Sequence, residues 1–283
     1  MLTPQEFGHI ADHLIDLHGV KKVRITGGDP TARSDLPEII QRIAQCHPDI
    51  DLAMSTNGLA MDRLAGVCKS AGLKRVNISL DTLDEATFEQ LSSKRGIEHV
   101  IAGIDASLAA GLAPVKLNMV VMRGINDGQI PEMVAFAAAR KVQLRFIELM
   151  PMGPLAGNWQ QYYLSADHIR RRIEPITLSW RPLQQGAASS RNFHVILRDG
   201  QTVTLGFITP MSCNFCGSCN RLRISCTGEI FPCLMDQPRG SLLSALRPKY
   251  DPVKFDALLA AALQEKAAEH PHDGFVTMTS IGG

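Results

Sequence analysis

Five of the seven cysteines fall between residues 213 and 233. The run reads Cys213-Asn-Phe-Cys216-Gly-Ser-Cys219-Asn-Arg221-Leu222-Arg223, with Cys226 and Cys233 beyond it. Two successive Cys-x2-Cys steps direct thiolates at one ion or cluster, because a tight turn carries both sulfurs to the same side. Three chemistries compete. A structural zinc site takes four ligands, which five cysteines can supply. A ferredoxin-like run would place a fourth cysteine soon after Cys219 with a proline behind it, and neither condition is met. The third is an iron–sulfur cluster held by three cysteines with one iron left open. Spacing alone does not separate zinc from iron–sulfur. Arg221 and Arg223, two apart and so on one side of an extended chain, put fixed cations beside the metal, as an anionic substrate would require. Cys46 and Cys68 stand alone in helical segments, where a small buried hydrophobe is the expected role.

A second set of chemistry-bearing residues lies on strand patterns. Residues two apart in a strand share a face, which pairs Lys22 with Arg24, Lys116 with Asn118 and Arg145 with Ile147, and aligns Asn77, Ser79 and Asp81. A parallel sheet covered on both sides should be apolar at such positions, so a barrel with a ligand inside would explain the exceptions. Snorkelling at solvated strand ends accounts for any one of them; their recurrence on successive strands favours a site. Lys22, Arg24, Lys116 and Arg145 would suit a multiply charged anion, such as a triphosphate, in the barrel mouth. Thr26-Gly27-Gly28-Asp29-Pro30 follows the first strand. Its glycines admit a ligand close to the backbone and its carboxylate could accept from an ammonium group. It reads equally as a tight turn into a helix started by Asp29-Pro30.

The elements that must position these groups alternate. Strand patterns at 21–25, 51–55, 75–80, 115–121 and 142–149 are separated by helical periodicities near 3–18, 36–46, 60–71, 97–111 and 128–140, as in βα units of a parallel sheet. The series opens on a helix, which implies that its first strand is missing or borrowed. After Pro151 the texture changes. A polar helix is expected at 165–174, a flexible link at 184–192, a hairpin turning at Asp199-Gly200, and helices near 241–247 and 253–269. The organisation expected is therefore 1–150, a partial (β/α) barrel, and 151–283, a smaller region with the cysteines.

With 45% hydrophobic and 20% charged residues, the 283-residue chain has the composition of a globular protein. Its formal charge of +1 provides no global field for nucleic acid or a membrane surface. The start lacks a signal pattern and no later stretch is apolar long enough to span a bilayer, so a cytoplasmic protein is expected.

VRITGGDPTAR, STNG, VNISLDTLD, KLNMVVMRGIN, LRFIELMPMG, FCGSCNRLRIS and the terminal IGG together resemble the radical S-adenosylmethionine (SAM) GTP 3′,8-cyclase family of molybdenum-cofactor biosynthesis. The resemblance runs in order over nearly the whole chain. It implies an α/β fold, an incomplete TIM-like radical-SAM barrel lacking its first strand, with a C-terminal part carrying a second [4Fe-4S] cluster. By position it implies Cys216, Cys219 and Cys233 as the ligands of that cluster, one iron being left for the guanine, and so favours iron–sulfur over zinc. It further implies SAM contacts at Gly28, Ser79 and Met150. GTP contacts are implied at Arg24, Ser55, Lys116, Arg221, Leu222 and Arg223, with Lys22 and Arg145 near the phosphates. Gly282-Gly283 would reach toward the site. In the implied reaction SAM yields a 5′-deoxyadenosyl radical that abstracts the ribose C3′ hydrogen of GTP, and the C3′ radical attacks C8. No catalytic residue is assigned. A homodimer and a downstream pyranopterin-forming enzyme are the further partners implied.

Three departures accompany the resemblance. Asp29 stands where the family has Glu, one methylene longer, and Ser55 where Thr is usual. The Cys-x3-Cys-x2-Cys motif for the SAM-cleaving cluster belongs upstream of LTPQEF and does not occur in the 283 residues. The expectation is a truncated family member with one retained cluster and no SAM cleavage; the alternative is a non-catalytic GTP-binding iron–sulfur protein.

Overall fold

The computed structural model describes residues 1–184, 189–213 and 216–266. Its first half contains α1 (Pro4–Asp16), β1 (Lys22–Ile25), α2 (Leu36–Cys46), β2 (Asp51–Thr56), α3 (Met61–Ser70), β3 (Arg75–Ser79), α4 (Glu85–Ser92), α5 (Ile97–Ala109), β4 (Lys116–Val121), α6 (Ile130–Arg140) and β5 (Gln143–Glu148). Then follow α7 (Trp159–Tyr162), α8 (Ala166–Ile173), β6 (Thr177–Pro182), β7 (Ser190–Leu197), β8 (Thr202–Ile208), β9 (Arg223–Ile224), β10 (Ile230–Phe231), α9 (Leu243–Leu246) and α10 (Pro252–Gln264).

Capping chemistry accounts for several boundaries. Thr3 and Glu6 form a reciprocal capping box at α1, with Glu6 Oε2 accepting the Thr3 N–H at 2.8 Å and Thr3 Oγ1 accepting the Glu6 N–H at 3.2 Å. Asp84 caps α4, and Asp251, followed by Pro252, caps α10. Gly200, at φ 86°, gives the β7–β8 hairpin its left-handed turn residue.

One eight-stranded sheet has the order β1-β2-β3-β4-β5-β8-β7-β6. Strands β1 to β5 are mutually parallel, β8 joins parallel to β5, and β7 and β6 complete the sheet antiparallel. This is an incomplete (β/α) barrel with β1 and β6 as its edges. All five strands expected before residue 150 are present, and the hairpin after it adds β8 to the same sheet. The link expected at 184–192 is shorter, since β7 already begins at Ser190; residues 267–269 of the last helical pattern lie outside the described residues.

Alternate strand positions divide between two environments. Leu52, Met54, Val76, Ile78, Leu117, Met119, Leu144 and Phe146 are essentially inaccessible in the main core, with Ile40 of α2, Met61 of α3, Ile104 of α5 and Val134 of α6. Each such side chain contributes roughly 1.5–3 kcal/mol by burial. Cys68 is one of them, and burial pushes its thiol up to about 11. Cys46 is a correction: as the last residue of α2 it is exposed, because the helix ends before carrying it under the sheet. A second core joins Leu2 and Ile10, at the start of the chain, to Ile230, Leu242, Phe255 and Leu259.

Candidate functional site

Residues opposite one another in a sheet lie on the same face. Lys22 stands opposite Asp51 and Arg24 opposite Ala53; Ala53 is opposite Arg75, and Ser55 opposite Asn77. The row continues with Asn77 opposite Lys116, Ser79 opposite Asn118, Asn118 opposite Arg145, and Arg145 opposite Gly206. The polar pairs expected from strand parity therefore share the face turned away from the packed helices.

Hydrogen bonds order this face. An Arg145 terminal nitrogen donates to Asn77 Oδ1 at 2.9 Å, and Asn77 Nδ2 donates to Ser55 Oγ at 3.1 Å. Arg145 is 7% exposed, and its Nε and the neighbouring Asn118 Oδ1 are buried with no partner among the described residues. Gly206 makes room for it. A Cβ there would lie 2.9 Å from Arg145 Cγ and 2.6 Å from Asn192 Oδ1. Asp51 accepts from Arg75 at 2.6 and 2.9 Å and pairs with Lys22 at 3.5 Å.

That carboxylate does not balance the cations. Burial, then the charges of Arg145, Arg75, Arg24 and Lys22, pushes the Lys116 ammonium down to about 8. Burial, Arg24 and Arg75 push the Arg145 guanidinium down to about 9. A guanidinium holds its proton too firmly to release it in practice, so Arg145 stays a buried cation among cations. Arg24 on β1 is exposed, yet surrounding protein and then Arg75 and Arg221 lower it too.

The influence of Arg221 on Arg24 links the sheet to the cysteine segment. Arg223, on β9 opposite Phe231 of β10, is brought down to about 10 by burial and Arg221, opposed by the nearby Cys233 and Cys219. Cys216 and Cys219 flank a 3-10 turn (Cys216–Ser218), closed by the Cys219 N–H donating to the Cys216 carbonyl at 3.0 Å. Cys233 follows β10 and packs with Met150, Met152, Phe231 and Met235. All three cysteines are half-buried; Cys213 and Cys226 are exposed, with Cys226 beside Arg33. Arg221 Nε lies 3.5 Å from Cys219 Sγ, and the Met235 N–H donates to Cys233 Sγ at 3.4 Å. Burial works to raise the Cys219 thiol and is outweighed by Arg221 and Lys266, leaving it lowered. Three half-buried soft donors, two of them with N–H groups aimed at sulfur, fit an iron–sulfur cluster.

Two profiles divide the chain. Residues 1–137 match the Radical SAM superfamily and residues 142–272 match Molybdenum Cofactor Synthesis C. A GTP 3′,8-cyclase of Rhodopirellula baltica is 36% identical over 96% of this chain and 76% of that protein. One from Ectopseudomonas mendocina is 36% identical over 95% and 81%, and one from Rhizobium meliloti 37% over 96% and 77%. The chain belongs to the GTP 3′,8-cyclase family. Membership of this radical SAM family implies a [4Fe-4S] cluster and SAM as cofactors.

Within this GTP 3′,8-cyclase fold, the residues expected at SAM lie at C-terminal ends of parallel strands: Gly28 exposed after β1, Ser79 exposed at the end of β3, and Met150 half-buried after β5. Leu222, expected at GTP, packs its side chain against the second core. Asp29 accepts from the Thr31 N–H and Oγ1, Thr56 Oγ1 and the Asn57 N–H. It caps the 3-10 turn Pro30–Ala32 and ties it to the end of β2, as the tight-turn reading expected. Gly282-Gly283 lies outside the described residues.

Sequence reasoning missed four groups. Arg75 and Asp51 continue the polar parity of Asn77 and Ser55 and were legible there. Lys266 donates to the carbonyls of Cys219 and Arg221 at 2.9 and 3.0 Å, a contact across 45 or more residues that no local pattern signals. Glu148 stands at the apolar parity of β5. Its buried carboxylate accepts from Ala166 N–H at 2.9 Å, Ser212 Oγ at 2.5 Å, and the Met211 and Ser212 N–H groups at 3.1 and 2.9 Å.

Proposed function

We propose that this chain binds GTP with its triphosphate against Arg24, Lys116 and Arg145, aided by Lys22, and with Arg221, the Leu222 backbone and Arg223 guiding the nucleoside toward the cysteines. The observation that carries this reading is the crowd of cations on one concave face, where burial and then neighbouring cations lower Lys116, Arg145 and Arg24, offset by the single paired carboxylate of Asp51 among the described strand residues of that face. A polyanion supplies the missing charge. The buried Arg145 Nε, without a partner among the described residues, is a donor such a ligand would satisfy.

Cys216, Cys219 and Cys233 would hold one [4Fe-4S] cluster, with the guanine at its open iron, and Ser55 would offer its hydroxyl to GTP. Gly28, Ser79 and Met150 would contact SAM. When bound, the cofactors supply the one-electron chemistry that forms the C3′–C8 bond of the cyclised nucleotide. Residues 1–150 would serve as the βα-alternating part of the partial barrel and 151–283 as the cluster-bearing region, whose β6 to β8 extend the same sheet. The product is a precursor for a pyranopterin-forming enzyme, and exposed reduced thiols at Cys46, Cys213 and Cys226 suit a reducing cytoplasm.

Because the 283 residues contain no Cys-x3-Cys-x2-Cys run, we propose that by themselves they bind GTP and one cluster without cleaving SAM. Calorimetry of GTP binding tests the substrate reading. Arg221→Ala and Arg223→Ala should each weaken binding by the scale of a lost charged hydrogen bond, ~1.5–3 kcal/mol, and unchanged affinity in both removes them from the site. Iron and labile sulfide on anaerobically reconstituted protein check the cluster, zinc in their place rejecting it. Release of 5′-deoxyadenosine would refute the lack of SAM cleavage.

A further inference from the structure

Away from the concave face, His13, His18 and Asp256 bring two imidazole nitrogens and a carboxylate oxygen within 4.8 Å of one another. His13 lies in the last turn of α1, His18 just beyond its end, and Asp256 in the first turns of α10. Both Nε2 atoms stand 2.8 Å from the same oxygen, Asp256 Oδ1, so the two rings are aimed at one point. The cysteine site uses none of these residues.

The cluster has two layers. His13 is buried, its ring 4.1 Å from that of Phe255 in the second core, and its Nδ1 lies 2.5 Å from the Tyr250 hydroxyl. An imidazole whose far nitrogen is held by a hydrogen bond has its ring orientation fixed, as metal-ligating histidines do, and the Tyr250 hydroxyl can donate to that nitrogen or accept from it. His18 and Asp256 are 40% and 49% exposed at their side chains, leaving the focal point open to solvent. Glu6 to Arg247 and the second core already hold α1 against the C-terminal segment, so the ligands need little reorganisation.

We propose that His13, His18 and Asp256 form a binding site for a divalent transition metal of the zinc type, clasping α1 to α10. Two imidazoles and one carboxylate are the donor set of zinc, cobalt and nickel rather than of magnesium or calcium, and water completes the coordination. Metal at His13 Nε2 moves that ring's proton to Nδ1, where the Tyr250 oxygen accepts it. The Asp256 carboxylate exchanges its two imidazole N–H donors for the cation, the His18 ring taking the tautomer with its proton on Nδ1.

Protein carrying its reconstituted iron–sulfur cluster, titrated with Co2+ and with Zn2+, tests this. One equivalent should bind with weak d–d absorption of nitrogen and oxygen ligation and no cobalt–thiolate charge transfer in the near ultraviolet. His18→Ala and Asp256→Asn, both at exposed positions, should each abolish that equivalent while leaving iron content intact. Tyr250→Phe should weaken it about 10–100-fold through its hydrogen bond alone. Thiolate charge transfer, or an equivalent unaltered in His18→Ala, would put the metal on other residues and overturn the site.

Discussion

Lys116 shows how the face behaves at the scale of one residue. Its neighbours in register are Asn77 and Gln143, neutral groups that cannot offset its charge, while the charges that lower it are those of Arg145, Arg75, Arg24 and Lys22. Free protein should therefore hold Lys116 partly deprotonated near pH 8. A bound triphosphate favours the ammonium and returns it toward its ordinary range. The sign follows: the charged form binds, so affinity is fullest below pH 8 and declines as pH rises through the free value toward the bound one. Calorimetry in buffers of differing ionisation enthalpy should show proton uptake on GTP binding near pH 8, growing toward about pH 9. Lys116→Arg should bind GTP within about threefold of wild type with that uptake removed, since arginine keeps its charge throughout. Equal uptake in the variant would assign the proton elsewhere.

At the scale of elements, Glu148 shows why a site can depend on a residue that touches no ligand. It ends β5, yet its carboxylate gathers the start of α8 and the two backbone amides just before Cys213. Every partner is a donor. Glu148→Gln would point an amide NH2 at N–H groups, losing charge-assisted bonds in a buried place; the cost should be on the order of 3 kcal/mol in denaturant unfolding. Iron retention by the reconstituted protein should fall with it, and an unchanged iron content would separate Glu148 from the cysteine segment. The alternation behind this geometry was legible: Val76 and Ile78 against Asn77 and Ser79 gave strand, face and polar row at once. What stayed hidden was non-local. The parallel pairing of β8 with β5 is set across more than 50 residues, and β9 and β10, two residues each, carry no period to read. In α4, a short helix, Phe88 is the one buried side chain among the described residues. Cys46 misled because helical context predicts burial only for positions that face the sheet.

Across the whole molecule, the first helix and the C-terminal segment form a closure that the parallel sheet does not provide. Leu2 and Ile10 pack with Phe255 and Leu259, and Leu2 N–H donates to the Cys226 carbonyl at 2.6 Å. Arg247 Nε donates to Glu6 Oε1 at 2.6 Å, joining positions 241 residues apart. The hydrogen bond from Arg247 holds the Glu6 carboxyl at about 2, against an ordinary 4.5, with the Thr3 cap adding to it and burial opposing. A depressed carboxylate stabilises the fold fully above its unfolded value, and that contribution is lost as pH falls from 4.5 through about 2. Arg247→Ala removes the main cause of the depression. The wild-type apoprotein should therefore exceed the variant in unfolding free energy by its full margin above pH 4.5, the margin shrinking steadily toward pH 2. Denaturant titrations of both proteins across that range measure it. A margin that does not change with pH would mean that Arg247 secures the closure by packing along its stem and by its bond to the Met1 carbonyl, with the ionisation of Glu6 contributing nothing.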